Sequence, residues 1–247
     1  MPATRADGSW HMTGPLPYAP EESAAQPPLR FDAFKSSITR SPTKAPLKIP
    51  QTLTEVTGPS GAGVWDGLMG PAVGDLTKQY AAPAMGERII VSGRVLDENG
   101  RPVPNTMIEI VQANACGRYA HNYDQHDAPL DPNFTGVGRV VSDAEGRYRF
   151  VTVKPGAYPW ANGPNTWRPA HIHFSLVGPA FATRLVTQMY FPGDPLFLLD
   201  AIALSVPAWA RERIVCRFDP TTTEPYWALS YLFDFVLRGR NATPMEN

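Results

Sequence analysis

From Glu87 to Gly239 the chain alternates apolar and polar residues in short runs separated by turn residues. ERIIVSGRVLD (87–97) reads as a strand running into the tight-turn pair Asn99-Gly100. In NTMIEIVQAN (105–114), Met107, Glu109 and Val111 fall on one face and Ile108 and Ile110 on the other. RVVSD (139–143) and RYRFVTV (147–153), joined by Ala144-Glu145-Gly146, predict a hairpin. HIHFSLVG (171–178) and RLVTQMYF (184–191) add two strands, and YWALSYLFDFVLRG (226–239) closes the series with a long alternation. PAWARER (207–213) is the one clear helical pattern in the second half, and a short helix is predicted near Asp75–Tyr80. Short strands at this spacing predict an all-β chain: a β-sandwich over residues 87–240, with an irregular N-terminal arm and few short helices. The sequence contains no internal repeat and no heptad.

The segments before Glu87 look different. Residues 1–30 are rich in Ala, Pro, Gly and Ser without periodicity, which predicts a disordered or extended tail. Residues 31–86 form the arm. Its first half, FDAFKSSITRSPTKAPLKIPQTLTEVTGPS, has too few apolar residues for a core of its own, so it is expected to pack on the main domain or on a partner chain.

Composition narrows the classes. Of the 247 residues, 22 Lys and Arg balance 23 Asp and Glu, and no basic stripe with interleaved aromatics exists, which argues against nucleic-acid binding. No apolar run approaches a membrane span. MPATRADGSWHM lacks the apolar stretch of a secretory leader, and the two cysteines, Cys116 and Cys216, read as free thiols; both point to the cytoplasm.

The chemistry gathers in KPGAYPWANGPNTWRPAHIHF (154–174). On a strand, His171 and His173 project from the same face and can reach one metal ion, while Ile172 turns away. The Pro- and Gly-rich loop before them can return Tyr158 to the same point. Two imidazoles and a phenolate suit a hard, oxidised metal such as ferric iron. An HxH pair alone equally fits two hydrogen-bonded core histidines. A long polar loop, Gln112–Arg139, follows an earlier strand, and loops of that length inside compact domains usually carry function.

The blocks QANACGRY, DPNFTGVGR, PGAYPW and WRPAHIHF occur here in the order and spacing of the intradiol aromatic-ring dioxygenases. SSITRSP, IPQTLTEVTGP and DFVLRG extend that resemblance over about residues 30–240, and it is strongest to the iron-binding β subunits of the protocatechuate-cleaving members. The resemblance implies one non-haem Fe(III) held by Tyr119, Tyr158, His171 and His173, with Tyr119 and His171 equatorial and Tyr158 and His173 axial. It implies a catechol substrate, protocatechuate in particular, opened with O2 between its two hydroxyl-bearing carbons to a muconate-type acid, here 3-carboxy-cis,cis-muconate, in aromatic catabolism. Tyr158 would act as a base, Arg168 would stabilise charge on the ring, and Gln188 would face the same cavity. Trp160 and Ile202 would line the ring pocket. Arg40 and Phe34 in the arm would meet the substrate's acid group, and an α subunit would complete a hetero-oligomer. Two positions depart from the family pattern: Val111 stands where related β subunits carry Trp, and Phe34 where they carry Tyr. Both bear on the 4-substituent, so a sulfocatechol is an alternative substrate. A non-catalytic sandwich subunit and a zinc hydrolase are the readings from other classes; the second would need a carboxylate or a third histidine as ligand.

Overall fold

The computed structural model describes residues 3–4, 10–11, 23–47, 72–178 and 184–246. In chain order its elements are β1 (Ala3–Thr4), β2 (Trp10–His11), α1 (Lys35–Arg40), β3 (Arg88–Leu96), β4 (Met107–Gln112), β5 (Val137–Val141), β6 (Arg147–Val153), β7 (Tyr158–Pro159), β8 (Trp167–Arg168), β9 (His171–Val177), β10 (Leu185–Tyr190), α2 (Ala201–Ser205), β11 (Arg217–Phe218), β12 (Leu229–Leu232) and β13 (Phe235–Val236). Two sheets make a sandwich. One runs β10-β9-β4-β5, antiparallel throughout. In the other, β3 pairs with β6 on one edge and, in parallel, with β12 and then β13 on the other; β11 flanks β12.

Strand β9 separates core from site. Ile172, Phe174 and Leu176 point into the sandwich with Ile108 and Ile110 of β4 and Ile89, Val91 and Val95 of β3. The Phe174 ring lies 5.9 Å from Phe150, 6.0 Å from Phe233 and 5.1 Å from Phe235, so residues of both sheets interdigitate around it. Burying a side chain of this kind stabilises by about 1.5–3 kcal/mol. The intervening residues face outward, and register puts Gln188, His173, Val111 and Val137 in one row across the sheet. The candidate chemistry therefore sits on the outer face of the first sheet, not between the sheets.

The expected hairpin at 139–153 is corrected. Asp143 N donates to Arg147 O at 2.9 Å, so the turn closes tightly, yet β5 pairs with β4 and β6 with β3 in the opposite sheet. Residues 73–75 enter the gap: Val73 bridges Arg139, Asp75 bridges Val151, and the following Leu76 is fully buried in the core. The helix expected at 207–213 is also corrected. Ala208–Ile214 is a 3-10 run begun by Ala210 N donating to Pro207 O at 2.8 Å. The α-helical turn lies just before it, where the Asp200 side chain accepts from Ile202 N and starts α2. Near Asp75–Tyr80 the predicted short helix is a 3-10 turn, Leu76–Lys78, capped by Asp75.

The long alternation at 226–239 breaks at Phe233-Asp234. There Phe233 O comes so close to Gly93 that a Cβ on that glycine would lie 1.8 Å from it. Only glycine admits this approach, and the Tyr148 hydroxyl donates to the same carbonyl at 2.6 Å.

The described parts of the tail and the arm pack on this chain. Ala25 joins a cluster with Tyr190, Ala203, Val206, Ala210 and Ile214. Asn162 accepts from Lys35 N at 3.0 Å and donates to Ala33 O at 2.8 Å, which ties α1 to the β7–β8 loop. Residues 48–71, and most of the tail expected over 1–30, lie outside the described residues. Among the described residues no helix is long and apolar enough to cross a membrane.

The two cysteines are in unlike settings. Burial pushes the Cys216 thiol up to about 12, whereas Cys116 is exposed. At mildly alkaline pH the native protein should release one equivalent in a thiol titration, and a second only on unfolding. Two fast equivalents from folded protein would contradict the burial of Cys216.

Candidate metal centre

Both histidines commit one ring nitrogen behind them. His171 Nδ1 lies 2.7 Å from Pro169 O, and His173 Nδ1 lies 2.9 Å from a carboxylate oxygen of Glu246. These acceptors call for a proton on each Nδ1, which leaves both Nε2 atoms as lone-pair donors. The two Nε2 atoms face each other at 3.2 Å. Two lone pairs at that distance repel unless positive charge lies against them; Arg168 supplies it to His171 Nε2 at 3.0 Å, and a metal ion would supply it to both.

The tyrosines complete the cluster. Tyr158, on β7, places its hydroxyl 3.3 Å from His171 Nε2. Tyr119 comes from the loop after β4, with its ring edge-on to Tyr158 at 5.4 Å and 6.3 Å from His173. Its hydroxyl is buried without a hydrogen-bond partner. A buried orphan hydroxyl costs about 1–3 kcal/mol, a cost that a coordinated cation removes. Burial, and then neighbouring Tyr158, push the Tyr119 phenol well above the ordinary tyrosine range. Burial, reinforced by Arg168 and His173, holds the His171 imidazole well below its ordinary range, so it stays neutral. The structure thus brings all four predicted metal residues together, and the donor set fits a hard, highly charged cation. Among the described residues no three His, Cys, Asp or Glu side chains form a cluster that could hold a metal ion.

Local sequence explains the convergence. Gly117 has φ +78, and a Cβ there would meet Ala157 O at 2.0 Å, so the glycine of GRY lets the two tyrosine loops pack backbone to backbone. Asn114 Oδ1 accepts from Cys116 N and Arg118 N at 2.9 and 3.0 Å, and Asp124 accepts from Tyr119 N at 2.7 Å. His121 and Tyr123, both exposed in this loop, bring their ring centroids within 5.3 Å of each other.

Arg168 is 3% exposed and sits behind the ligands. Its guanidinium donates to Tyr158 Oη at 3.2 Å, His171 Nε2 at 3.0 Å, Tyr190 Oη at 2.9 Å and Asp200 Oδ2 at 2.9 Å, and it also bonds Gln188 Oε1. Burial opposes its charge, but Tyr190, Asp200 and Tyr158 outweigh burial and hold its pKa well above the ordinary range. Gln188 Oε1 also lies 2.7 Å from the Tyr190 hydroxyl, so its amide cannot turn, and its buried Nε2 is left without a partner.

Phe34, Ala201 and Ile202 form one small cluster with Phe31 and Trp160. Phe34 and Trp160 rings are 5.6 Å apart, and the Arg168 guanidinium lies 5.4 Å from the Trp160 ring. Three of the predicted pocket residues are therefore one wall, joined to the metal cluster through Arg168. Arg40 is exposed, and its guanidinium lies over the Phe34 ring at 5.2 Å. Val111 pairs with His173 in register and is 40% exposed on the site face.

Sequence reasoning missed Tyr190, Asp200 and Glu246. Asp200 carried a local signal as a helix cap before Ala201; Glu246 carried none. Burial works to raise the Glu246 carboxyl, but its hydrogen bonds, the one with His173 first, and the nearby Arg168 charge outweigh burial and hold it low.

Residues 66–239 match the dioxygenase family, and residues 18–52 match the N-terminal segment of the protocatechuate 3,4-dioxygenase β subunit. The protocatechuate 3,4-dioxygenase β chain of Burkholderia cepacia is 54% identical over 237 residues, 95% of this chain and 100% of that one. The α chain of the Burkholderia cepacia enzyme is 30% identical over 171 residues, 68% of this chain and 81% of that one. Among solved structures, the dioxygenase domain of a carbohydrate-binding fusion from Streptomyces sp. SirexAA-E superposes with a TM-score of 0.51 at 25% identity, covering 69% of this chain and 90% of that one. Chlorocatechol 1,2-dioxygenase from Pseudomonas putida shares the fold with a TM-score of 0.51 at 24% identity, over 83% of this chain and 76% of its own. With a family match across most of its length and a relative aligned from end to end, this chain belongs to the intradiol dioxygenase family.

Proposed function

We propose that this chain is the catalytic subunit of a cytoplasmic protocatechuate 3,4-dioxygenase, opening 3,4-dihydroxybenzoate with O2 to 3-carboxy-cis,cis-muconate. Non-haem Fe(III) would be held by Tyr119, Tyr158, His171 and His173. The observation that carries this reading is the pair of opposed Nε2 atoms at 3.2 Å, with the Tyr158 hydroxyl beside them and the unpartnered Tyr119 hydroxyl close by. Ferric iron supplies the Lewis acidity that keeps phenols and catechol ionised and draws electron density from the ring.

The chain's own groups do the rest. Tyr158 Oη, as a phenolate, takes a proton from the incoming catechol hydroxyl, as a base within hydrogen-bond reach can. Arg168 holds a fixed positive charge beside the ring, and Gln188 Nε2 has its donor free for an oxygen there. Trp160, Ile202 and Phe34 pack the ring's faces and keep water out. Arg40 is the cationic candidate for the substrate's acid group, because a carboxylate in a partly buried pocket needs a partner. An α chain, as in the Burkholderia cepacia relatives, is the proposed second subunit.

Colour and metal content test the ligand set. Purified protein should be red-brown from charge transfer between tyrosinate and iron, and a strong chelator should bleach it. Tyr158→Phe should shift the band and slow catechol binding while retaining part of the iron. A colourless, zinc-loaded protein would overturn the assignment. Turnover of protocatechuate, catechol and sulfocatechol, with and without the α chain, tests the substrate. Full activity of the isolated chain on plain catechol, with no preference for the acid, would leave only the intradiol chemistry standing.

A further inference from the structure

We propose that Glu246 is a positioning residue of the metal centre, fixing the ring orientation and tautomer of His173. The proposal rests on His173 being a ligand, as read above. His173 stands on the outer face of β9 with its side chain 24% exposed, so the core does not hold its ring. Without a partner at Nδ1, the neutral ring can place its proton on Nε2 and lose the lone pair that faces His171. A carboxylate at Nδ1 removes that option and raises the basicity of Nε2.

Glu246 is built into place. It lies 73 residues after His173 in the chain, and the segment delivering it is fully hydrogen-bonded. Thr243 N donates to Val236 O at 2.9 Å, Glu246 N to Val186 O at 2.8 Å, and Met245 N to Gln26 Oε1 at 2.7 Å. Pro244 has no N–H, so every backbone donor from Thr243 to Glu246 is used. Pro244 O in turn accepts from the buried Thr187 hydroxyl at 2.6 Å. The segment thus runs along the edge of β10 away from β9, tied also to Gln26 of the N-terminal tail. A carboxylate carried by such a segment is a fixed part of the site.

Variants read by two methods decide the matter. Loss of a partner of this kind typically lowers metal affinity about 10–100-fold. Glu246→Ala should show that loss in a chelator competition and should shift the charge-transfer band. Glu246→Gln keeps an acceptor without the charge and should fall between Glu246→Ala and the unsubstituted chain, with its melting point near that of the unsubstituted chain. Nitrogen NMR of the metal-free protein gives an independent reading. His173 should carry its proton on Nδ1 in the unsubstituted chain and become a mixture of tautomers in Glu246→Ala. If the unsubstituted chain takes up no iron, the ligand reading fails and the tautomer result still decides the role of Glu246. Unchanged affinity and unchanged His173 nitrogen shifts in Glu246→Ala would overturn the proposal.

Discussion

Arg168→Ala should turn over about 10²–10³-fold more slowly, the usual effect of removing one preorganised charge from an active site. The guanidinium is held by Asp200, Tyr190 and Gln188 before any substrate arrives, so no reorganisation is needed when charge develops on the ring. It is not among the proposed ligands, so iron content should change little. Oxygen uptake under saturating substrate, set against iron per chain, measures both. Arg168→Lys keeps the charge but loses the planar fork and should recover only part of the rate. An alanine variant with undiminished turnover per iron would remove Arg168 from the mechanism.

Asp200→Ala should have the largest effect on stability. It leaves Arg168 buried beside no counter-charge, and a guanidinium cannot shed its proton to escape. Breaking a buried pair in this way costs about 3–5 kcal/mol. The same carboxylate caps α2, and loss of a cap adds about 0.5–2 kcal/mol. For a chain of this size each kcal/mol lowers the melting point by roughly 2–4 °C, so a fall on the order of 10 °C is expected. The converse change is milder, because a carboxyl left alone can take up a proton and share it with Tyr190, which lies 2.8 Å away. An Asp200→Ala melting curve lying on that of the unsubstituted chain would show that the pair contributes nothing to stability.

The sandwich was legible because strand alternation is a local signal. The period-two pattern of HIHFSLV put His171 and His173 on one face and Ile172 on the other, and the structure turns Ile172, Phe174 and Leu176 into the core. What failed was pairing. The turn at 143–147 has every local mark of a hairpin, but Val73 and Asp75, more than sixty residues earlier, separate its two strands. In α2 the apolar run AIALS follows a capping aspartate and is five residues long, too short for a periodicity reading. At the site, the HxH spacing read directly, whereas Tyr119 was identified only through motif resemblance, since a tyrosine in a polar loop looks like many others. Asp200, Tyr190 and Glu246 meet their partners through the tertiary fold, and short-range pattern does not encode such meetings.

Because the site lies on the outer face of β9, specificity and foldability draw on separate sets of residues. The residues proposed to meet the substrate are scattered along the chain: Phe34 on the arm, Trp160 between β7 and β8, Ile202 on α2 and Val111 beside His173. These residues lie outside the central cluster built on Phe174, Ile108 and Ile89. Substitutions there need not repack the sandwich. Val111 and Phe34 both belong to that layer.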